Sequence, residues 1–323
     1  MMRIVAIDSG TTNTRVWVVT DGQVVAEAHG RGGAGDVARG QPRSWLAKRI
    51  RSVANEALAE AQLGWSDIDA AVGFGMLTSE HGLEEVPHLV APVGVTQLVQ
   101  GLKQRDREDT IPAPLYLIPG VLCSDPADRA DPDFMRGEET NVVGLLELGR
   151  TKPPFLYVSP GSHTKFVAVG QLGQIEWSFT TLSGELIWAL SQHTILSPIL
   201  DPSLPLTDTK AAELGAQAAR HAGLSRALYS TRLKSRLTDF DVASCSDFAR
   251  GAVAATDIDG LRTAPELPPT VIIGAGSELG PFYHRFLTEE SWTTKVEESS
   301  EPLGPLGAWT VYSLHLRSAR GIE

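Results

Sequence analysis

The chain has 323 residues, enough for two domains of ordinary size or one large one. Hydrophobic residues make up 42% and charged residues 21%, which is typical of a globular protein with a buried core, and the net charge of −11 argues against a nucleic-acid partner. No apolar run reaches the ~20 residues that span a bilayer, no signal-peptide pattern precedes the first strand, and two cysteines, Cys123 and Cys245, suggest no disulfide framework. We therefore expect a cytoplasmic protein without a membrane partner.

The first half of the chain is predicted to begin with three strands, Arg3–Asp8, Thr14–Thr20 and Gln23–His29. The "TDG" between the last two is a hairpin signal. A Gly-rich surface loop follows at 31–42, and apolar residues at helical spacing predict a helix over Ser44–Leu63. Beyond it we expect buried strands at 69–75 and 113–120, a polar loop at 125–137 and a helix at 138–149.

The second half repeats this opening. Residues 154–170, "PFLYVSPGSHTKFVAVG", again predict a strand, a Gly turn rich in hydroxyl groups and a second strand, and "QIEWSFT" at 174–180 supplies a third. Further predicted elements are helices at Ser183–His193, Thr209–Ala222, Ser225–Arg236 and Val242–Thr256, a strand at 269–276, a helix at Glu278–Leu287, a strand at Thr294–Glu297 and a last helix from about Gly304.

Spaced self-similarity of this kind indicates an internal repeat. Three strands followed by helices occur twice, about 150 residues apart, so we expect an α/β protein of two related domains, 1–150 and 151–323, that face each other across a cleft. The last helix, 304–320, is expected to pack back on the first domain.

The two Gly turns are candidate phosphate sites. A turn of small residues exposes consecutive backbone N–H groups and hydroxyls to the oxygens of a polyphosphate. The candidates are Gly10, Thr11, Thr12 and Asn13 in the first turn, and Gly161, Ser162 and Lys165 in the second. Asp8, at the end of the first strand, suits Mg²⁺, which prefers oxygen ligands and keeps several waters. A plain polar turn is the alternative for each.

Several segments, in order along most of the chain, resemble the 2-dehydro-3-deoxygalactonokinase family of the sugar kinase, Hsp70 and actin superfamily. The segments are "AIDSGTTNTRVWVV" at 6–19, "GMLTSEHG" at 75–82, "YLIPGV" at 116–121, "MRGEETNVVG" at 135–144, "LYVSPGSHTKFV" at 156–167, "LSGEL" at 182–186 and "VIIGAG" at 271–276. The resemblance implies two RNase H-like (actin-like ATPase) domains, ATP and Mg²⁺ as cofactors, and phosphorylation of 2-dehydro-3-deoxy-D-galactonate at its terminal hydroxyl.

The resemblance also implies roles for individual residues. Glu139 is the favoured general base, and Glu138 is a substrate ligand or a metal contact. Both begin a helix, whose N-terminus is expected to keep a carboxylate ionised. Arg136 can meet the carboxylate of the sugar acid, and Ser79 is the expected contact in "GMLTSEHG". Lys165 can neutralise the γ-phosphate, and Gly274, Gly276 and Ser277 are expected to adjoin the adenosine.

Other functions are less well supported. Gly274, Gly276 and Gly280, with Glu297 downstream, resemble a dinucleotide fingerprint, but too few residues follow for the remaining strands of a Rossmann half. Adjacent Ser162 and His163 would point apart in an extended turn and suggest no hydrolase. A kinase of the gluconate epimer and a non-catalytic sugar-acid sensor of the same fold stay open, as does assembly into a homo-oligomer.

Overall fold

The computed structural model describes residues 1–105, 111–123, 132–264 and 266–321. The chain divides into two compact units. Unit 1 comprises Met1–Pro153, Gln171–Trp177 and Pro302–Glu323, and unit 2 comprises Pro154–Gly170 and Ser178–Glu301.

The strands, in chain order, are β1 (Arg3–Ser9), β2 (Asn13–Thr20), β3 (Gln23–Arg31), β4 (Ala70–Gly75), β5 (Leu89–Val90), β6 (Lys103–Arg105), β7 (Leu115–Leu117), β8 (Val121–Leu122), β9 (Phe134–Met135), β10 (Phe155–Ser159), β11 (Thr164–Val169), β12 (Ile175–Thr181), β13 (Thr270–Gly274) and β14 (Lys295–Ser299). The helices are α1 (Ala34–Ala38), α2 (Arg43–Glu60), α3 (Val95–Gly101), α4 (Glu138–Leu148), α5 (Ser183–His193), α6 (Thr209–Ala222), α7 (Leu224–Leu237), α8 (Val242–Leu261), α9 (Gly280–Thr288) and α10 (Leu303–Ala319). Short 3₁₀ turns occur at Trp65–Asp67, Met76–Thr78 and Ser197–Ile199.

Unit 1 is built on a sheet of order β3-β2-β1-β4-β7-β6. The first three strands form an antiparallel meander, and β4 and β7 continue from β1 in parallel. The predicted hairpin between β2 and β3 is confirmed, since Asp21 and Gly22 both have positive φ, 46° and 83°. The predicted spacing in α2 is also confirmed: Leu46, Ile50 and Val53 are fully buried in the core with the inner residues of β1 and β2. Helix α10 packs against α4 and also contacts β1 and β4.

Unit 2 repeats this sheet order. Its main sheet runs β12-β11-β10-β13-β14, with β10 antiparallel to β11 and parallel to β13, as β1 is antiparallel to β2 and parallel to β4. The predicted repeat is therefore present in the backbone topology. Helix α8 packs against α6, α7 and α9, and fourteen of its twenty residues are buried.

Three predicted segments differ in the structure. The loop predicted at 31–42 contains α1, whose Ala34 and Gly35 are buried. Helix α8 continues five residues beyond the predicted end, because Asp257, Ile258 and Leu261 continue its buried face. The polar loop predicted at 125–137 lies partly outside the described residues, and its described end contains β9. Among the described residues, no helix combines the length and apolarity needed to cross a membrane.

Candidate active site

The first Gly turn joins β1 to β2 and is supported from within. The amide of Gly10 donates to the carbonyl of Asn13 (2.9 Å), and buried Thr14 donates from Oγ1 to the carbonyl of Gly32 (2.8 Å). Thr11, Thr12 and Asn13 are exposed. The turn therefore has buried supports and a free outer surface, as a phosphate-binding turn requires.

Helix α1 holds this turn in place. The amides of Ala34 and Gly35 donate to the carbonyls of Gly10 and Thr11, at 2.9 and 3.1 Å. A Cβ atom on Gly35 would lie 2.4 Å from the carbonyl oxygen of Thr11, so no larger residue fits without moving the turn. The glycines of the supposed surface loop thus position the candidate phosphate turn.

The second Gly turn, between β10 and β11, is held in the same way. The amide of Glu185, in the first turn of α5, donates to the carbonyl of Ser162 (2.8 Å). A Cβ on Gly184 would lie 2.1 Å from the carbonyl oxygen of Gly161. Ser162 is exposed, and Lys165 donates from Nζ to Oγ1 of Thr180 (2.9 Å).

A buried network supports the second turn from below. Oδ2 of Asp257 in α8 accepts hydrogen bonds from Oγ of Ser183 and from the hydroxyl of Tyr283. The Tyr283 oxygen also lies 3.2 Å from Oγ1 of Thr164, the first residue of β11. Burial raises the pKa values of both Asp257 and Tyr283. The network ties α5, α8, α9 and β11 together.

Asp8 lies at the end of β1, opposite Arg15 on β2. Its environment differs from that of an ordinary surface carboxylate. Burial raises the pKa of Asp8 to about 6, against a smaller lowering by the charge of Arg15. Neighbouring Gly75 has a φ of 70°, and a Cβ there would lie 2.5 Å from Oδ1 of Asp8. Gly75 therefore allows β4 to end against the carboxylate, in a conformation that other residues rarely adopt.

Glu139, in the first turn of α4, is fully buried. Its Oε2 accepts from the amide of Gly137 (2.7 Å) and its Oε1 from the hydroxyl of Thr140 (2.9 Å). Burial, reinforced by the charge of Glu138, raises the pKa of Glu139 to about 7. Desolvation thus opposes the helix N-terminus and the hydrogen bonds, which favour the ionised form, and the ionisation of this carboxylate stays a prediction. A pKa near 7 suits a group that takes up and releases a proton.

Asp8 and Glu139 belong to one contiguous cluster in unit 1. Gly75, which touches Asp8, lies next to Gly137: a Cβ on Gly137 would be 3.4 Å from Cα of Gly75. Gly137 in turn donates to Glu139. The structure therefore brings the two predicted catalytic carboxylates into the same cluster, and half-buried Glu138 lies beside them.

The predicted substrate residues are Arg136, which directly precedes Gly137, and Ser79, which follows β4. Arg136 donates from Nη1 to Oγ1 of Thr78 and from Nη2 to the carbonyl of Val86, both at 2.8 Å. Arg136 therefore stabilises the segment that follows β4, in addition to any role toward a ligand. Ser79, in that segment, donates from Oγ to the carbonyl of Met76 (2.8 Å). The roles of Arg136 and Ser79 toward the substrate stay predictions.

The predicted adenosine residues lie in unit 2. Gly274 ends β13, Gly276 follows with a φ of 103°, and the amide of Leu279 donates to Oγ of Ser277 (3.3 Å) ahead of α9. This strand–turn–helix matches the sequence expectation in form, and its role toward a nucleotide stays a prediction.

Four supporting features were not predicted from the sequence: the glycines of α1, Gly75, the Asp257 network and His88, which contacts Arg136. The repeat itself contained a signal for the first, since a glycine in the helix after the third strand, Gly35 and Gly184, occurs in both halves. Asp257 and His88 come from distant segments, and nothing in their local sequence marks them.

Two curated proteins are similar in sequence to this chain over most of its length. The chain is 26% identical over 284 residues to the 2-dehydro-3-deoxygalactonokinase of Escherichia coli (strain K12), with 88% of each chain covered. It is 25% identical over 305 residues to a probable 2-dehydro-3-deoxygalactonokinase of Rhizobium meliloti (strain 1021), with 92% of each covered.

Solved structures agree on the fold. A protein crystallised as a candidate 2-dehydro-3-deoxygalactonokinase from Sinorhizobium meliloti matches with a TM-score of 0.74 at 20% identity, over 98% of this chain and 99% of the other. The activator of 2-hydroxyisocaproyl-CoA dehydratase from Clostridium difficile, solved with bound ADPNP, matches with a TM-score of 0.57 at 12% identity, over 100% and 98%. The predicted actin-like ATPase fold is confirmed.

The family model for 2-keto-3-deoxy-galactonokinase matches residues 8–305, from the candidate magnesium ligand to the first turn of α10. The chain therefore belongs to the 2-keto-3-deoxy-galactonokinase family.

Proposed function

We propose that this protein transfers the γ-phosphoryl group of ATP to the terminal hydroxyl of 2-dehydro-3-deoxy-D-galactonate. The product is 2-dehydro-3-deoxy-6-phospho-D-galactonate, an intermediate of galactonate and galactose catabolism. The observation that carries the proposal is the family match over residues 8–305, which includes the cluster of Asp8 and Glu139. The reaction is placed in the cytoplasm, where ATP is available.

Glu139 is assigned as the general base. Phosphoryl transfer requires that the proton of the attacking hydroxyl be accepted as the new P–O bond forms. The buried Glu139 carboxylate, with a pKa of about 7, is sufficiently ionised at neutral pH and basic enough to take that proton. The negative charge of Glu138 contributes to this basicity, and Glu138 is also assigned a direct contact with the substrate or the metal ion.

Asp8 is assigned to Mg²⁺. Within the described residues, no three His, Cys, Asp or Glu side chains form a group that could hold a metal ion. A magnesium ion at Asp8 would thus take its remaining ligands from water and phosphate, which is how Mg²⁺ commonly binds beside nucleotides. The raised pKa of Asp8 fits this role, because a desolvated carboxylate gains from a nearby cation. Bound there, the ion would neutralise charge on the phosphates.

The remaining site residues are assigned to the two ligands. Residues 1–150 bind the sugar acid and phosphate, and 151–323 bind the nucleotide. Within them, the phosphate groups are assigned to Gly10, Thr11, Thr12, Asn13, Gly161, Ser162 and Lys165, the adenosine to Gly274, Gly276 and Ser277, and the sugar acid to Ser79 and Arg136. In both turns, backbone amides of a following helix hold the turn carbonyls in place. A turn that is fixed in this way can bind phosphate through its own amides, without large side chains.

The test is a coupled ADP-release assay with ATP, Mg²⁺ and 2-dehydro-3-deoxy-D-galactonate, beside its gluconate epimer and plain D-galactonate. We expect turnover on the galactonate keto acid, a 6-phosphorylated product by mass spectrometry, and loss of turnover in Glu139→Gln with ATP still bound. Turnover on the gluconate epimer alone would overturn the assignment of the substrate. Full turnover in Glu139→Gln would move the base to Glu138.

A further inference from the structure

The small sheet β5-β8-β9 of unit 1 brings together three side chains from two distant segments. His88 directly precedes β5, Phe134 lies in β9 and Arg136 follows β9. The His88 ring meets the Phe134 ring edge-on, with centroids 5.4 Å apart. His88 is thus held in a defined orientation beside a residue of the candidate sugar-acid site.

Arg136 determines which nitrogen of His88 carries the proton. Nη2 of Arg136 lies 3.3 Å from Nδ1 of His88. A guanidinium only donates hydrogen bonds, so Nδ1 is the acceptor and the proton of the neutral ring is on Nε2. Burial and the charge of Arg136 lower the pKa of His88 to about 4, so the ring is neutral at pH 7.

The Nε2–H donor is itself buried, and within the part of the chain that the structure describes no residue accepts its hydrogen bond. A buried donor without an acceptor is costly, which favours a ligand as its partner. His88 is linked to the catalytic cluster through Arg136, which also binds Thr78, whose hydroxyl donates to the carbonyl of Gly75 (3.1 Å). Gly75 is the residue that touches Asp8.

We propose that His88 is a substrate-binding residue, which donates from Nε2 to the carboxylate of the sugar acid. A carboxylate accepts hydrogen bonds only, so it requires several donors. The hydrogen bond from the cationic Arg136 to Nδ1 withdraws electron density from the ring and makes Nε2–H a stronger donor. This inference rests on the proposed function for the identity of the ligand.

Two substitutions separate the two nitrogens of His88. The amide of Asn reaches the position of Nδ1, where its oxygen can still accept from Arg136, but it provides no donor at the position of Nε2. The longer Gln places an amide N–H near Nε2. We would titrate wild type, His88→Asn and His88→Gln with 2-dehydro-3-deoxy-D-galactonate by calorimetry, and measure the Kd for ATP as a control for folding.

We expect His88→Asn to weaken sugar-acid binding by about 10- to 100-fold. His88→Gln should stay within about 5-fold of wild type because it keeps the distal donor. The Kd for ATP should be unchanged in both. Competition by D-galactonate, which has the carboxylate but no keto group, should weaken by the same factor in His88→Asn.

Wild-type sugar-acid affinity in His88→Asn, with turnover intact in wild type, would overturn the role of His88 and leave the proposed function standing. Absence of wild-type turnover on the keto acid would instead overturn the proposed function. A loss confined to the keto acid, with galactonate unaffected, would overturn the carboxylate assignment by moving the acceptor to the keto oxygen.

Discussion

The two Gly turns have the same backbone scaffold but use carboxylates differently. In unit 1, Asp8 stands opposite Arg15 across β1 and β2, and in unit 2 Ser159 stands opposite Lys165 across β10 and β11. The same register thus carries an acid in one unit and a hydroxyl in the other. The buried carboxylate associated with the second turn is Asp257, which comes from α8 and lies below the turn.

These carboxylates have different partners. Asp257 accepts from two hydroxyl groups, in a network that joins four elements, so its role is to support the second turn. Asp8 and Glu139 are also desolvated, with pKa values raised to about 6 and about 7, but they lie in the cluster around Gly75 that is assigned to chemistry. The two units therefore share the backbone support of the turn but differ in the role of the buried acid.

The largest expected effect comes from removing the charge of Asp8, the acid beside the first turn. Asp8→Asn should lower kcat by about 10³-fold, because a neutral amide cannot balance the charge of a magnesium ion beside the phosphates. The matched control is Ser159→Ala, at the equivalent register in unit 2, which should stay within about 10-fold of wild type since it removes no charge. Steady-state rates at saturating ATP and Mg²⁺ check both. Equal losses in the two variants would mean that the turns do not differ as described.

A second prediction concerns the cost of keeping Glu139 desolvated. Its pKa rises from 4.5 to about 7 on folding, so the folded state binds the extra proton between these values. The stability of wild type should therefore fall as pH rises from about 5 to about 8, by up to about 3 kcal/mol from this group. Glu139→Gln lacks this titration, although it leaves one of two donors without an acceptor at every pH.

Urea unfolding of wild type and Glu139→Gln at pH 5 and pH 8 measures the difference. The free energy of unfolding of Glu139→Gln should increase relative to that of wild type as pH rises. The contributions of the other titrating groups, Asp8 included, are the same in the two proteins and cancel in the difference. A pH-independent difference would show that Glu139 is ionised in the folded state at its ordinary pKa.

The third prediction tests whether both turns depend on helix support. Gly35→Ala and Gly184→Ala each place a methyl group against a turn carbonyl, at 2.4 and 2.1 Å before any adjustment. Each should cost about 1–3 kcal/mol of stability despite the better helix propensity of alanine, and the displaced turn should raise the KM for ATP. Gly64→Ala is the control, because its Cβ would meet nothing closer than 3.6 Å. Melting temperatures and KM values for ATP, measured in all three variants, show whether both turns depend on support from a helix.

Much of this scaffold was predictable from the chain alone. The opening strands, the TDG hairpin and the bounds of α5 and α6 follow from short-range patterns: alternation, turn residues and spacing at three and four residues. The repeat was visible because "DSGTTNTRV" and "SPGSHTKFV" share a turn chemistry, and both occur between apolar strands. A local pattern also singled out Asp8 as a candidate, whereas Glu138 and Glu139 became candidates through the resemblance of "MRGEETNVVG" to the family.

What the sequence did not predict depends on distance or on burial. The contact of Gly35 with Thr11 forms only when β3 pairs with β2 and its end returns to the turn, so a Gly-rich segment appeared to be a plain loop. The protonation of Glu139 depends on how completely α4 is covered, which its helix position does not reveal. His88 and Arg136 are 48 residues apart and meet only because β5 and β9 share a sheet with β8.

The smallest expected effect is that of Asp257, the acid of unit 2. Asp257→Asn can still accept from both hydroxyl groups through its one oxygen, but it loses the charge that strengthens these hydrogen bonds and places an NH2 group at the position of Oδ1, so stability should fall by about 1–2 kcal/mol. Because Asp257 supports the second turn through Ser183 and Tyr283, the KM for ATP should rise a few-fold while kcat changes little. Thermal melts with steady-state kinetics test this, and Tyr283→Phe, which removes one of the two donors to the same oxygen, should reproduce the pattern at about half the size. A loss of kcat comparable to that of Asp8→Asn would place Asp257 among the reacting groups, and the division between a chemical acid in unit 1 and a supporting acid in unit 2 would fail.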